Sequence, residues 1–397
     1  MKKLFPSITL VILAAIPVVA LEGKKPDLPP PFHTPSAENR PRVIARPDGV
    51  QLRLPAGFNI DVYAEGFERP RFMTEGPNRE TIVSDTVNAG SVYVLLDRDH
   101  DFKAESREKL IDGLDRPYGL AFWKDYLYVA EATSLKRYRY DPKTMTVTKP
   151  GEEVVSMKDF GKGHVTRTVL FDRKGEKMYL AIGSSANVVA GDDPSRAAIN
   201  RYNPDGTAHE IVASGLRNTL GLRWYPGTDN LWASVQERDG LGDDLVPDFF
   251  TLVKPGGFYG WPYAYIGAHE EPRLAGQRSD LVEKTLVPDV LLESHIAVMD
   301  ALFYDAKQFP PEYRGGAFLA NHGSSNRAKR VGYSVTFIPF KGRKPAGEPR
   351  EFLTGFMLDP DSKEVWGRPV GLLQMHDGSL LVSDDGGKKI WRISYKN

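Results

Sequence analysis

Cysteine is absent from all 397 residues of the chain. Its absence excludes a disulfide-stapled fold, a thiolate zinc site, a cysteine nucleophile and a CxxCH haem attachment. Any electrons that the protein handles must therefore leave to a separate carrier. A net charge is lacking as well, because 52 Lys and Arg residues balance 52 Asp and Glu residues. Without a basic surplus, the composition argues against a dedicated nucleic-acid-binding protein.

Continuous helical periodicity is scarce, and the best helical candidate, residues 104–111, is short. The 30 prolines and 37 glycines instead fit many turns between short strands. A unit recurs that starts with a basic or polar residue and continues as a strand, a turn and a second strand such as YLYVAE or LLVSDD. The copies begin near Arg69, Arg116, His164, Arg217, Val298 and Arg368.

Repeats of about 40–50 residues built from short strands are typical of β-propeller blades. Six copies predict an all-β, six-bladed β-propeller over residues 54–397. A strand near residues 58–64 is expected to complete the last blade, so that the ring closes without an exposed edge.

The first 20 residues match an export signal peptide. Lys2 and Lys3 provide the charged start, and an apolar run over residues 8–19 ends in small residues. A membrane anchor is disfavoured, because Pro6 and Pro17 interrupt a run shorter than the roughly 20 residues needed to span a bilayer. The sequence therefore predicts a periplasmic or secreted protein with no stable membrane insertion. Residues 21–53 are rich in proline and are expected to form an extended lead-in.

Arginine recurs at the start of the units. In propellers, the residue before each innermost strand tends to face the central channel, and several arginines at one mouth repel each other unless an anion neutralises them. Because arginine matches carboxylates and phosphates bidentately, the pattern indicates a pocket for a polyanion. Ion pairing with acids of neighbouring blades is the alternative for any single arginine. The candidate ligand-binding residues are Arg116, Arg167, Arg217, Asn218, Arg327 and Arg368.

Two of the eight histidines, His164 and His322, fall at the same predicted mouth. A neutral imidazole there could accept a proton from a substrate hydroxyl, so both are candidate catalytic bases. A structural, hydrogen-bonding role is the alternative for each. The acidic loop over residues 237–244 is dense in oxygen ligands and glycine, as calcium loops are, although it lacks EF-hand spacing. Acidic turns without a metal are also common.

Several motifs together resemble the sorbosone dehydrogenase-like branch of the quinoprotein sugar dehydrogenases. They are RPYGLAF, GHVTRTVLF, LAIGSSANV, SGLRNTLGL, ERDGLGDDLVPD, GGFYGWP, FLANHGSSNR, WGRPVGLL and LLVSDDGG, and they extend over nearly all of residues 54–395. The resemblance implies a six-bladed propeller that binds pyrroloquinoline quinone (PQQ) and calcium. The three carboxylates of PQQ would account for the arginines, and calcium would polarise its quinone.

The resemblance also implies roles for individual residues. By similarity, His164 matches the catalytic base, and Arg217 and Asn218 match PQQ contacts. The carbonyl oxygens of Glu237 and Arg238 match calcium ligands, and Asp244 of the same loop joins them as a metal candidate. In the sorbosone-like branch His322 and Arg327 look like cofactor-pocket residues, which leaves the base open between the two histidines. Relatives often carry Trp where this chain has Ser325, so substrate preference is expected to differ.

Three functions compete at this point. The first is a PQQ- and calcium-dependent oxidation of a sugar, aldose or polyol, with electrons passing to a separate acceptor, a quinone or a cytochrome. The second is a calcium-dependent lactonase or esterase on a similar propeller, which would need metal-binding acids more than arginines. The third is a propeller that binds a sugar without turnover. The number of arginines favours the first.

Overall fold

The strands form six sheets of four or five strands, antiparallel apart from one parallel edge strand, arranged as the blades of a propeller. The structure, a computed structural model, describes residues 24–396. The innermost strands of successive blades contact one another around the ring. The all-β, six-bladed prediction is therefore confirmed.

The first three blades follow the chain in order. Blade 1 consists of Pro70–Glu75, Thr81–Asp85, Gly90–Leu96 and Ser106–Leu114. Blade 2 consists of Leu120–Trp123, Tyr126–Ala130, Ser134–Asp141, Thr146–Val147 and Glu152–Ser156. Blade 3 consists of Arg167–Phe171, Met178–Ile182, Ala198–Tyr202, Glu210–Ser214 and the parallel strand Gly257–Phe258.

The other three blades complete the ring. Blade 4 consists of Asn218–Trp224, Leu231–Gln236, Pro247–Leu252 and Val290–Ser294. Blade 5 consists of Val298–Phe303, Ala317–Asn321, Ser334–Ile338 and Arg350–Leu353. Blade 6 consists of Pro369–Gln374, Leu380–Asp384, Lys389–Tyr395 and Phe58–Glu65.

Phe58–Glu65 pairs antiparallel with Lys389–Tyr395, so one strand from before blade 1 closes the last blade. This confirms the expected closure of the ring. The second strand of a blade lies between its neighbours and is covered on both faces. In Thr81–Asp85 and Leu380–Asp384 every residue is buried, including the polar residues at the end of each strand, Ser84 and Asp85 in the first and Ser383 and Asp384 in the second.

Glycine sets the spacing between neighbouring innermost strands. A Cβ on Gly119 would lie within 3.0 Å of the Arg167 carbonyl oxygen, and one on Gly371 would meet the Arg71 carbonyl oxygen as closely. A Cβ on Gly221 of blade 4 would likewise meet the Ala301 amide nitrogen of blade 5. Blades 2, 4 and 6 therefore meet blades 3, 5 and 1, respectively, backbone to backbone.

Short elements lie outside the blades. They comprise the helix Ser279–Lys284, the 3₁₀ turns Lys158–Phe160, Pro272–Leu274 and Pro311–Tyr313, and the strand pairs Arg42–Val43 with Glu364–Val365, Ala264–Tyr265 with His269–Glu270, and Phe340–Lys341 with Lys344–Pro345. The helical candidate at residues 104–111 is wrong, because this segment runs into the fourth strand of blade 1. Pairing with Gly90–Leu96 decides its structure, and local propensity does not.

The proline-rich residues preceding the propeller are extended and lie against it. Arg42–Val43 forms a parallel pair with Glu364–Val365, and Arg53 bridges to Thr354. The predicted signal peptide falls outside the described residues. Within residues 24–396, no helix has the length and apolar character needed to cross a membrane.

Candidate active site

A cavity of about 250 Å³ lies where the innermost strands begin. Every blade except blade 2 contributes to it, mainly through the residues that precede an innermost strand or follow a second strand. Its lining consists of Arg71, His164, Arg217, Gln236, Glu237, Asp239, Asp248, His295, Ala297, Met299, His322, Gly323, Ser325, Asn326 and Arg368. A larger cavity of about 420 Å³ lies beside Arg46 and Trp366. It contains none of the predicted site residues, so the smaller cavity is the candidate site.

Three arginines line the cavity. Arg71 has a close carboxylate partner, since its Nη2 lies 2.6 Å from Asp385 Oδ2. Arg368 donates to the neutral His322 carbonyl oxygen at 3.1 Å. Arg217 donates to the Glu237 carbonyl oxygen at 2.6 Å and has a carboxylate, Asp239, only at 3.5 Å. The Nε of Arg71 is buried and has no hydrogen-bond partner. The three guanidinium groups thus have two carboxylate neighbours, Asp385 and the more distant Asp239, and Arg368 has none at ion-pairing distance within residues 24–396, so the arginines keep an excess of positive charge that suits an anionic ligand.

Asp385 lies outside the cavity lining and bridges two of the lining residues, His322 and Arg71. Its carboxylate lies 2.8 Å from Nε2 of His322, 2.6 Å from Arg71 and 3.2 Å from Arg69. Burial alone would raise the pKa of Asp385, but Arg71 and His322 outweigh it and hold this pKa far below its ordinary range. Asp385 is therefore ionised and fixes the orientation of both neighbours.

The two predicted histidines face the same cavity. Burial, reinforced by Arg217 at His164 and by Arg368 at His322, lowers the pKa of each imidazole to about 3. Nδ1 of His164 lies 3.0 Å from the Ser184 carbonyl oxygen, so Nδ1 carries the proton and Nε2 keeps a lone pair. His322 has the opposite tautomer, because its Nε2 donates to Asp385. Both are neutral potential bases.

A third histidine in the cavity, His295, is of a different kind. Its Nδ1 lies 3.0 Å from Asp239 Oδ1 and its Nε2 lies 2.9 Å from the Gly242 carbonyl oxygen. Both nitrogens face acceptors, so both must carry protons. Burial opposes this charge, but the bonds to Asp239 and Gly242 prevail and raise the pKa of His295. His295 is therefore a cation, and it shares Asp239 with Arg217, whose Nη2 lies 3.5 Å away.

Four predicted ligand-binding residues lie outside the lining of the cavity. Arg116 pairs with the adjacent Asp115 at 2.8 Å. Arg167 is fully buried and donates to the carbonyl oxygens of His164 and Phe160 at 2.7 and 2.8 Å, so it holds the segment that carries His164. The other two lie close behind the lining: Asn218 donates to Gln236 at 3.1 Å, and Arg327 pairs with Glu293 at 3.4 Å and Asp244 at 3.6 Å.

The predicted metal ligands are only partly brought together. Glu237 lines the cavity, burial raises the pKa of its carboxyl group to about 8, and its Oε1 has no hydrogen-bond partner. Its carbonyl oxygen already accepts a hydrogen bond from Arg217. The Arg238 side chain points to Glu271 at 3.2 Å, and Asp244 pairs with Arg327.

The candidate ligands for a hard cation at the cavity wall are the side-chain carboxyl groups of Glu237 and Asp248. The Glu237 amide donates to Asp248 Oδ1 at 2.9 Å, and burial raises the pKa of Asp248 to about 6. A cation beside these two buried carboxyl groups would favour their ionised forms. In the part of the chain that the structure describes, the one cluster of three or more potential metal ligands lies elsewhere, in Asp97, Asp99, Asp101 and Glu105 of blade 1.

Sequence reasoning missed several lining residues, above all Arg71, Asp239, Asp248, His295 and Asn326. A signal for His295 is present. It lies three residues before the innermost strand of blade 5, as His164 lies three residues before that of blade 3. Arg71 lies two residues after Arg69, which begins the first unit. Only the alternation of side-chain direction along a strand could have indicated which of the two arginines faces the cavity.

The class of protein follows from these features together with a family match. The chain belongs to the TrAA12-like family, whose model matches residues 52–246 and 276–396. The unmatched segment between these ranges contains the hairpin formed by Ala264–Tyr265 and His269–Glu270.

Relatives of known and unknown activity are similar in sequence. An uncharacterized protein of Borreliella burgdorferi is 28% identical over 364 residues, covering 87% of this chain and 91% of that protein. A pyrroloquinoline quinone-dependent pyranose dehydrogenase of Coprinopsis cinerea is 26% identical over 316 residues, covering 64% of this chain and 42% of that enzyme. The chain thus matches less than half of the length of the Coprinopsis enzyme.

Solved structures share the fold. The Trichoderma reesei structure of carbohydrate-active enzyme family AA12 superposes with a TM-score of 0.74 at 21% identity, covering 87% of this chain and 98% of that one. The holo form of the pyranose dehydrogenase PQQ domain from Coprinopsis cinerea gives 0.72 at 21% identity, covering 88% and 98%. The resemblance to PQQ-dependent sugar dehydrogenases is confirmed for family and fold, while the sorbosone-like branch stays a prediction.

Proposed function

We propose that the protein is a PQQ-dependent oxidoreductase that oxidises a hydroxyl group of a sugar, aldose or polyol and passes the electrons to a separate quinone or cytochrome. The observation that carries this proposal is the joint presence of three arginines and two neutral histidines around one cavity. Family membership and the pyranose dehydrogenase of Coprinopsis cinerea support it.

Arg71, Arg217 and Arg368 are the residues that would hold the cofactor. PQQ carries three carboxylates, and each of these guanidinium groups lines the cavity. The orphaned Nε of Arg71 would gain an acceptor on binding. Arg368, now bonded to neutral carbonyl oxygens, would gain a charged partner, and Arg217 would gain one in addition to Asp239.

Bound PQQ would supply an ortho-quinone that accepts a hydride from the hydroxyl-bearing carbon. Oxidation of that carbon to a carbonyl also releases the hydroxyl proton, which needs an acceptor in this chain. His164 fits, because Ser184 fixes its Nδ1–H and leaves the Nε2 lone pair free. Arg217 contributes to the low pKa of His164, so an anion that neutralises Arg217 would raise this pKa and make His164 a better base.

His322 is the second candidate for the base. Asp385 orients it, as an acid orients a catalytic histidine in hydrolase triads, and its Nδ1 keeps a lone pair. Arg368 lowers its pKa in the same way, so an anion beside Arg368 would also raise it. The choice between the two histidines is left to mutagenesis.

We further propose that calcium assists the reaction as a Lewis acid and that the protein works after export to the periplasm or the exterior. Glu237, with its unpartnered buried oxygen, and Asp248 are the residues that would hold the cation. Export is supported by the signal-like first 20 residues.

The test is titration of the metal-stripped protein with PQQ, with and without calcium, followed by dye reduction with aldoses and polyols. We expect about one equivalent of PQQ to bind and turnover to require it. Binding that is independent of calcium would contradict the calcium part alone. No PQQ binding would overturn the assignment and favour the lactonase alternative, which hydrolysis assays would then examine.

A further inference from the structure

A segment before the propeller, residues 32–43, crosses the outside of the candidate site. We call it the strap. It touches two loops that line the cavity: the acidic loop, residues 237–244, which carries Glu237 and Asp239, and the histidine loop, residues 322–330, which carries His322, Ser325 and Asn326. The strap itself contributes no residue to the cavity lining.

The strap binds the acidic loop through both backbone and hydroxyl groups. The Phe32 amide donates to the Leu241 carbonyl oxygen at 2.7 Å. The amides of Gly242 and Asp243 donate at 3.0 and 2.8 Å to the hydroxyl groups of the strap residues Ser36 and Thr34, respectively. Gly242 has a φ of +113° and lies against the Thr34 backbone, so this approach depends on glycine.

The strap binds the histidine loop through Asn39. The Asn39 amide donates to the Ser325 carbonyl oxygen at 2.8 Å, and its Nδ2 donates to the Ala328 carbonyl oxygen at 2.8 Å. Its own carbonyl and side-chain oxygens accept from the Arg330 guanidinium at 2.7 and 2.8 Å. All four polar groups of Asn39 are therefore used on this one loop.

Arg330 makes this attachment costly to lose. It is only 2% exposed, and its hydrogen bonds go to neutral oxygen atoms, among them those of Asn39, Ser324 and Ser362. A buried guanidinium without these acceptors would be strongly destabilised. The strap thus satisfies a buried charge at the base of the histidine loop.

The acidic loop and the histidine loop also contact each other directly, close to His295. The Ala328 amide donates to Asp243 Oδ2 at 3.0 Å, and Asn326 hydrogen-bonds Asp239. The separation between the loops fixes the positions of Asp239, Ser325 and Asn326 at the cavity wall. The strap is attached to both loops, so it sets this separation from outside.

We propose that Asn39 is a positioning residue for sugar binding: through the strap it fixes the acidic and histidine loops and so sets the affinity and selectivity for the sugar. This inference rests on the proposed function, because it assigns the rim formed by Ser325 and Asn326 to the sugar. Asn39 touches none of the three arginines directly and reaches Arg217 and Arg368 only through the carbonyl oxygens of the two loops, so its effect on PQQ affinity is expected to be smaller than its effect on sugar binding.

The test compares Asn39→Ala with the matched control Glu38→Ala. Glu38 is the neighbouring residue, its side chain is 71% exposed, and it pairs only with exposed Arg40. In Asn39→Ala we expect KM for the preferred sugar to rise about tenfold with kcat changed less than about threefold, since small displacements of positioning groups are felt strongly at a site. Its selectivity between two sugars should fall, and its affinity for PQQ should change by a smaller factor than KM does.

Hydrogen–deuterium exchange provides a readout that does not depend on turnover. In Asn39→Ala the amides of residues 241–243 and 325–330 should exchange faster than in Glu38→Ala, although Asn39 does not touch the acidic loop directly. Unchanged exchange in the acidic loop, or unchanged KM in an active enzyme, would overturn the proposal. If Asn39→Ala does not fold, Ser36→Ala, which removes a single acceptor, must show the same effects at smaller size. Wild-type protein that oxidises no sugar would refute the proposed function. Hydrogen–deuterium exchange alone would then test whether Asn39 positions the two loops.

Discussion

Arg71→Met removes one guanidinium from the candidate cofactor cavity and keeps most of the side-chain volume. The Arg71 side chain is 8% exposed and lies 2.6 Å from Asp385. If Arg71 holds a PQQ carboxylate, the loss of one desolvated charge pair costs about 2–4 kcal/mol of binding free energy. The Kd for PQQ should therefore rise about 30- to 700-fold.

Arg69→Met is the matched control, because Arg69 pairs with the same Asp385 at 3.2 Å but is 50% exposed and lies outside the cavity lining. An exposed pair of this kind is worth about 0.2–1 kcal/mol, so the Kd for PQQ should rise less than about fivefold. The assay is calorimetric titration with PQQ at neutral pH, with circular dichroism to show that both variants are folded. Equal losses of affinity in the two variants would refute the cofactor role of Arg71.

Stability changes can be separated from this effect. Arg71→Met leaves Asp385 buried with only Arg69 and His322 as partners, so the free energy of unfolding should fall. Adding Asp385→Asn removes the incompletely compensated negative charge and should recover part of this loss, while PQQ affinity stays low. Recovery of affinity together with stability would mean that Arg71 acts only through Asp385.

Three further predictions concern the histidines and the ring. His164→Ala should lower kcat at least about 100-fold with PQQ affinity changed less than threefold; normal turnover would remove His164 as the base. Because folding raises the pKa of His295, its protonation stabilises the fold fully at pH values below the ordinary histidine pKa, and this stabilisation is lost as pH rises through the folded-state pKa. Between pH 6 and 9 the melting temperature should decline in wild type and decline less in His295→Gln. Parallel curves would contradict a charged His295 that donates from both nitrogens. Gly371→Ala should lower the free energy of unfolding by about 1–3 kcal/mol or more in denaturant titration, because its Cβ would meet the Arg71 carbonyl oxygen. Gly161→Ala should lower it less, because its nearest contact is a side-chain methyl group of Thr133 at 3.2 Å; an equal loss in both variants would contradict the backbone contact.

The blade architecture was predictable because each blade is specified by a short, local sequence pattern. Each unit pairs a polar residue at the strand start with a buried second strand, and the predicted starts at Arg217 and Arg368 lie one residue before the observed strands. The ring closure followed from the need to cover an edge. Residues 104–111 misled because tertiary pairing overrode a local helical pattern.

The composition of the site was predictable only in part. Arg116, Arg167 and Arg217 look alike in sequence, yet one pairs with its neighbour Asp115, one caps backbone carbonyls and one lines the cavity. That choice depends on which partners the three-dimensional fold offers. The attachment of Asn39 to a loop nearly 300 residues away leaves no periodic trace in the sequence, so it could not be anticipated.

The closure of blade 6 also determines the order of assembly. As the chain is synthesised, the strand at residues 58–65 has no partner until residues 389–395 emerge, and Asn39 waits for Arg330. Four blades can form before Arg330 emerges and five before the closing strand does, but the cavity needs Arg368 and Asp385 from the last blade. If the cavity holds the proposed cofactor, loading is therefore a late step that follows closure of the ring.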